Sequence, residues 1–313
     1  METMMFSHSQ CNNQEALVDS FGRRVTSLRI SITNRCNLNC IYCHHEGNSS
    51  SKKEMSIDTI SKIVHTASCY GVNKVKFSGG EPLVRDDFEQ ILESLPPLKE
   101  ISATTNGVLL KDCAHELKAA GLDRVNISLD TLEPECYQFI TSGKQGTLEH
   151  VIEGIKASVD AGLTPVKLNV ILLKGINDTK IDEMIEFIRS FDGNVILQLI
   201  ELMDFEFEVY HQYRVDIQAI EKELESRADE VRVRSMHRRK KYIIDSAEVE
   251  LVRPIDNTQF CANCNRLRVT ADGKLKPCLL VDNNLVDVSE ASSEKMDELL
   301  KLAVSRRVPY YRK

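Results

Sequence analysis

The chain has 313 residues, 42% of them hydrophobic and 28% charged, enough apolar content for a large buried core in one or two domains and too much for a disordered chain. Its formal net charge of −7 argues against general affinity for nucleic acid, so any anionic ligand must be gripped by local basic residues. No apolar run approaches the roughly twenty residues that span a bilayer, and Met1 to Asp19 lacks a signal-type apolar segment, which together predict a soluble, cytoplasmic protein with no membrane partner.

Residues 1–16 are polar and aperiodic and are expected to form a flexible N-terminal tail. A predicted strand over 28–33 then leads into Cys36-Asn-Leu-Asn-Cys40-Ile-Tyr-Cys43, three thiols on one loop. Thiolates are soft ligands that suit zinc or iron–sulfur clusters. As a zinc site the loop would borrow a fourth ligand from His44 or His45; as a [4Fe-4S] site it would leave one iron free to bind something else. The residues alone leave both readings open.

After the polar link 49–53 the element types alternate. Ser56 caps a predicted helix with Ile57, Ile60, Ile63 and Val64 at helical spacing. A strand over 74–77 ends in Gly79-Gly80-Glu81-Pro82, which is either a plain turn or a point of close main-chain approach to a ligand. Helices near 88–95 and 112–120 and strands near 100–103, 124–128, 166–173 and 195–202 follow. Two helices precede the strand at 166, the second with Val151, Ile152, Ile155 and Val159 on one face, and a helix capped by Asp178 points Ile181, Met184, Ile185 and Ile188 inward. Such alternation predicts a parallel sheet with right-handed crossovers. Six units are too few for a closed eight-unit barrel, so the expectation is an α/β fold, a partial (β/α)6 TIM-like barrel over 17–204 with its chemistry at the C-terminal strand ends.

From 205 to 313 the pattern changes to a charged helix, short strand-like runs at 230–234, 241–244, 248–252, 267–270 and 275–279, and a last helix at 293–305. This predicts a small C-terminal α+β domain around a second triplet, Cys261-Ala-Asn-Cys264 with Cys278, which by spacing is half a zinc ribbon or another three-thiol cluster site. Arg266 and Arg268, two apart on a strand, share a face and can present planar cationic forks to an anion or purine. The run His237-Arg238-Arg239-Lys240-Lys241 reads as an exposed hairpin, with a contribution to triphosphate binding left open. Cys11, Cys69, Cys113 and Cys136 are scattered and read as ordinary thiols.

The first triplet, with Tyr42 before its third cysteine and a Gly-Gly-Glu-Pro strand end after it, resembles the radical S-adenosylmethionine (SAM) superfamily. That resemblance implies a [4Fe-4S] cluster on Cys36, Cys40 and Cys43 whose open iron chelates SAM, with Tyr42, Gly80, Thr104, Ser128 and Met203 as SAM-binding positions. The run from Phe260 to Gly273, together with Asp19-Ser-Phe-Gly22-Arg23 and Leu28-Arg29-Ile30-Ser31-Ile32-Thr33, resembles the GTP 3′,8-cyclase family of molybdenum cofactor biosynthesis over about 17–280. It implies a second [4Fe-4S] cluster on Cys261, Cys264 and Cys278 that binds guanine, Arg29, Arg266 and Arg268 as catalytic, GTP-contacting residues, and Lys74, Lys76 and Lys167 toward phosphates or base. It also implies reductive SAM cleavage, hydrogen abstraction from the 3′ carbon and closure onto guanine C8. An external electron donor and a cyclic pyranopterin monophosphate synthase acting on the product are implied partners, and a homodimer is left open. The chain departs from the pattern at Gln198, where many relatives carry arginine, at its end, Val308-Pro-Tyr-Tyr-Arg-Lys313 rather than Gly-Gly, and at His44-His45-Glu46. The rival readings are a radical SAM enzyme acting on a peptide and a non-catalytic metal-binding or electron-transfer protein.

Overall fold

The computed structural model describes residues 15–45, 51–205, 207–234, 236–255 and 257–311; most of the expected tail, with Cys11, Glu46, Ser49 and Ser50, lies outside them. The predicted parallel strands are present as β1 (Ser27–Ser31), β2 (Lys74–Ser78), β3 (Glu100–Thr105), β4 (Arg124–Ser128), β5 (Val166–Leu172) and β6 (Val195–Glu201), adjacent in that order. Between them run α1 (Ile57–Cys69), α2 (Phe88–Glu93), α3 (Ala114–Ala119), α4 (Pro134–Thr141), α5 (Thr147–Asp160) and α6 (Ile181–Arg189). The Ser56 hydroxyl accepts the Thr59 amide at 3.1 Å and caps α1, which buries Ile60, Ile63, Val64 and Ala67. Asp178 does not cap α6. Its carboxylate accepts the Gly175 amide at 2.8 Å in the preceding turn, and Lys180 holds the cap position instead.

The sheet stays open, and the C-terminal part of the chain extends it at both ends. After α7 (Phe207–Tyr213) and α8 (Ile217–Arg227), β7 (Glu230–Val233), β8 (Lys240–Ile244) and β9 (Ala247–Val252) pair antiparallel, and β9 lies parallel to β6. After α9 (Thr258–Ala262), β10 (Arg266–Val269) joins β1 in parallel, followed by β11 (Lys274–Lys276), β12 (Val286–Asp287) and α10 (Ser293–Ser305). The run expected over 275–279 stops at Lys276 because Pro277 has no amide for a ladder. The turn between β7 and β8 reaches across to α9: the His237 ring stacks on Phe260 with centroids 3.7 Å apart, and the His237 amide donates to the Asn263 carbonyl. The β9 side of the barrel is thereby bridged to the β10 side.

Alternation along the strands separates two environments. Leu28, Ile30, Val75, Phe77, Val125, Ile127, Leu168, Leu197 and Leu199 are buried in one apolar cluster with the helices. The positions between them carry Arg29, Lys76, Ser102, Asn126, Lys167, Asn169 and Gln198. In register, Arg268 stands beside Arg29, Arg29 beside Lys76, Asn126 beside Lys167 and Gln198 beside Glu250. A parallel sheet covered on both faces is normally apolar on both. Here the inner face is polar, which marks the lumen as a place for a ligand. Among the described residues no helix is long and apolar enough to cross a membrane. Cys113 and Cys136 are free thiols as read, whereas Cys69 is disulfide-bonded; spacing in sequence does not reveal which lone cysteines meet in space.

Candidate functional site

One cavity of about 650 Å³ occupies the lumen, and both cysteine triplets line it, as do Arg29, Tyr42, Lys74, Lys76, Gly80, Thr104, Ser128, Lys167, Met203, Arg266 and Arg268. Every residue singled out from sequence thus meets the others in one place. All six triplet cysteines are free thiols, three per loop, a donor set that fits a cube held at three corners. His45 Nδ1 lies 3.7 Å from Cys43 Sγ, but among the described residues no three His, Cys, Asp or Glu side chains are placed to hold a single metal ion.

The first loop is fastened mainly by main chain. The Gly80 amide donates to the Thr33 carbonyl at 2.9 Å and the Glu81 amide to the Arg35 carbonyl at 2.8 Å. A Cβ on Gly79 would lie 2.4 Å from the Thr33 carbonyl oxygen, and one on Gly80 2.2 Å from that of Arg35. The glycines therefore admit the chain entering the cysteine loop while also lining the cavity. The buried Glu81 carboxylate accepts from Thr105 Oγ1 at 2.7 Å and from the amides of Asn106 and Leu83, locking the ends of β2 and β3 together; burial still pushes its carboxyl up to about 7. Asn106 Nδ2 donates to Asn37 Oδ1 at 2.6 Å. On the far side, the amides of Asn39 and Ile41 donate to the carbonyls of Thr141 and Ile140 at the end of α4, each at 2.9 Å. The Tyr42 hydroxyl donates to Asp130, whose other oxygen accepts the Ile171 amide, and burial pushes the Asp130 carboxyl up to about 6. Tyr42 is thus a strut between loop and barrel, with its ring at the cavity wall.

Charge holds the second loop. Asp19, fully buried at its carboxylate, pairs with Arg23 at 2.8 Å and Arg307 at 3.0 Å. Arg23 donates to the Cys261 carbonyl at 3.1 Å and Arg307 to the Cys264 carbonyl at 2.7 Å. Burial works to raise the Cys264 thiol, but Arg266, its own amide bond to that residue, Arg307 and Arg23 draw it below its ordinary value, toward the thiolate that binds metal.

Ten lysines and arginines line the cavity against two glutamates, Glu100 and Glu201. Lys76 donates to Asn126 at 2.7 Å, Arg29 to Thr104 at 3.3 Å, and Lys74 pairs with Glu100 at 3.0 Å. Burial, then Arg29 and Arg268, push Arg266 down to about 9, and burial with Arg124 and Arg29 pushes Lys76 well below the usual lysine range. Such crowding is relieved by an anion. Behind the wall sits Glu250, with no exposed surface. It accepts from Lys167 at 2.6 Å, Gln198 at 2.7 Å and Arg234 at 2.7 Å, and pairs with Arg239 at 3.4 Å. Gln198 is accordingly a support for Glu250.

Sequence reasoning missed Glu250, Arg124, Arg234 and Arg307. The 237–241 run is corrected in part: His237 is only 5% exposed and, with Arg239, lines the cavity, because the turn docks on α9 instead of facing water. Lys240 faces outward, paired with Glu225, whereas Lys241 pairs with Glu248 and lies 3.8 Å from the buried Glu250. The Asp19–Arg23 pair was noticed as a motif; its physical role appears only with Arg307.

Residues 30–188 match the family described as the Radical SAM superfamily, and residues 195–313 match Molybdenum Cofactor Synthesis C. The chain is similar to the "Probable GTP 3′,8-cyclase" of Methanosarcina mazei, 62% identical over 306 residues, with 96% of this chain and 91% of that protein covered. It is likewise similar to that of Methanosarcina acetivorans, 64% identical over 304 residues, covering 95% and 91%. Among solved structures, Streptococcus suis SuiB bound to S-adenosylmethionine superposes with a TM-score of 0.66 at 16% identity, covering 90% of this chain and 68% of that one. Native anSMEcpe with bound AdoMet gives 0.63 at 18% identity, covering 89% and 81%. At these identities the structural likeness is one of fold.

Proposed function

This chain belongs to the GTP 3′,8-cyclase family of the radical SAM superfamily, and from that premise we infer that it converts GTP to (8S)-3′,8-cyclo-7,8-dihydroguanosine 5′-triphosphate, the first step of molybdenum cofactor biosynthesis. The observation that carries this reading is the single cavity that joins two free-thiol triplets to a wall of ten lysines and arginines. Cys36, Cys40 and Cys43 would hold one [4Fe-4S] cluster and Cys261, Cys264 and Cys278 the other. When bound, the first cluster and SAM supply a carbon-centred radical able to take a hydrogen atom from the substrate.

The protein's share is positioning and exclusion of water. Residues 17–204 form the SAM-binding part, with Gly80, Thr104, Ser128, Met203 and the Tyr42 ring around that cofactor. Residues 205–313 complete the nucleotide site. Arg29, Arg266 and Arg268 converge from adjacent strands, Lys74 and Lys167 sit at the early ends of theirs and Lys76 stands mid-strand beside Arg29, so a polyanion is met from several sides at once. Glu81 and Asp130 brace the first loop from behind the cavity wall. The reading calls for an external electron donor, for a cyclic pyranopterin monophosphate synthase to take up the product, and for a cytoplasmic setting.

The test is anaerobic incubation of reconstituted protein with SAM, dithionite and GTP deuterated at the 3′ position. Deuterium in the released 5′-deoxyadenosine is expected. SAM cleavage that ignores GTP but accelerates with a cysteine-bearing peptide would replace this reading with the peptide-modifying one.

A further inference from the structure

Most of the cavity's cations reach the lumen from the barrel strands and β10. One basic element arrives from elsewhere. The turn between β7 and β8 sends Arg234, His237 and Arg239 to the cavity wall at the seam between the two sides of the open barrel. Its backbone is in a region that side chains avoid: His237 has φ +59° and Arg238 φ +53°. Docking keeps it there, through the His237–Phe260 stack, the His237 amide on the Asn263 carbonyl and the Arg234 amide on the Arg239 carbonyl at 2.8 Å. The turn therefore presents these side chains from a fixed frame.

Its charge is only partly answered. Glu250 is shared among Lys167, Arg234, Arg239 and, at 3.8 Å, Lys241, one carboxylate against four cations. Arg239 Nε and His237 Nε2 are both buried and without a hydrogen-bond partner. Native proteins rarely leave such atoms unsatisfied without a ligand or water to meet them. Burial, then the charges of Arg266, Arg239, Arg268 and Arg234, hold the ring of His237 neutral, so it adds a hydrogen-bonding group without adding repulsion.

We propose that this turn is a polyphosphate grip, in which Arg239, flanked by Arg234 and the His237 ring, holds the phosphate chain of the nucleotide at the seam of the barrel. The proposal rests on the reading of the chain as a GTP-binding enzyme and names residues that set affinity for the phosphates and take no part in hydrogen abstraction. A guanidinium fork matches phosphate oxygens in pairs, and lysine in its place keeps the charge but loses that match.

The experiment uses the full, cluster-reconstituted chain under anaerobic conditions, as wild type, R239A, R239K and H237F, with equilibrium dialysis against GTP, GDP and guanosine. R239A is expected to weaken GTP tenfold to a hundredfold, GDP less and guanosine less than twofold, with KM for GTP rising while kcat at saturation stays within about twofold. R239K should recover part of the loss. H237F keeps the stack on Phe260 while removing the ring nitrogens, and should cost roughly threefold to tenfold in GTP affinity alone. SAM cleavage without nucleotide is the control and should be unchanged in all variants. If wild type cyclises GTP while all three variants keep its ratio of GTP to guanosine affinity, the grip is wrong and the cyclase reading survives. If wild type neither binds nor cyclises GTP, both fall.

Discussion

Both cysteine loops bring three thiols to the same cavity, yet their surroundings are opposite in charge. Around the first stand Glu81 and Asp130, carboxyls raised by burial and tied to amides and hydroxyls, with main-chain bonds to β2 and α4 doing the fastening. Around the second stand Arg23, Arg266, Arg268 and Arg307, with a single buried aspartate binding two of them. Acidic surroundings receive a cation and basic surroundings an anion. On the cyclase reading, the basic surroundings of the second loop suit the nucleotide polyanion, and the first loop is left to the sulfonium cofactor.

The sharpest way to break this comparison is to remove one loop at a time. Cys40→Ala should abolish both SAM cleavage and cyclisation, whereas Cys264→Ala should lower cyclisation at least a thousandfold and retain SAM cleavage, with bound iron falling by about half in each. SAM cleavage lost equally from both variants would mean that the loops do not divide the labour. Next in size is Asp19→Ala, which strands two buried guanidiniums and should cost about 3–5 kcal/mol in thermal or denaturant unfolding. Iron should leave the second site first, read by its spectrum and content, with SAM cleavage outlasting GTP binding.

Glu250→Gln probes the basic side without touching a cysteine and should cost about 3 kcal/mol, since Lys167, Arg234 and Arg239 lose their shared counter-charge. Burial opposes the charge of Glu250, but Lys167, Arg239 and Arg234 hold its carboxyl down at about 2, below the unfolded value of 4.5. Its contribution to stability is therefore complete above 4.5 and is lost as pH falls toward 2, and the variant should lack that part of the acid-unfolding curve. On the acidic side, Gly80→Ala forces a Cβ against the Arg35 carbonyl and should cost about 1–3 kcal/mol, weakening SAM cleavage while GTP affinity holds. The smallest effect is expected from Ser142→Ala, which removes the hydroxyl donated to the Asn39 carbonyl at 3.2 Å on an exposed edge of the first loop, about 0.5–1 kcal/mol by differential unfolding.

What could be read from sequence was what local pattern controls. The spacing of Ile60, Ile63 and Val64 and the hydroxyl of Ser56 determine α1, and the two triplets announce themselves through ligand number alone. Asp178 misled because a side chain that suits a cap suits a turn three residues earlier equally well. Gly79 and Gly80 read as either a plain turn or a close approach, and what they admit is the chain entering the first loop; a missing Cβ records crowding and not what crowds it. The hairpin run looked exposed because its charges are continuous; its docking on α9 depends on Phe260, a contact spacing cannot foretell. Arg307 lies 284 residues from Arg23, and no local signal links a C-terminal arginine to the first turn of the fold.

The order of strands across the sheet has an outcome for biosynthesis. β1 is flanked by β10 and β6 by β9, so both margins of the six-strand core are sealed by polypeptide that leaves the ribosome last. A nascent chain grown only to residue 204 displays two rows of bare amides and carbonyls around a charged trough, open to association with its neighbours. Translation through Val269 covers those two margins, and the same stretch of synthesis delivers Cys261, Cys264 and the last four cations of the wall, Arg234, Arg239, Arg266 and Arg268.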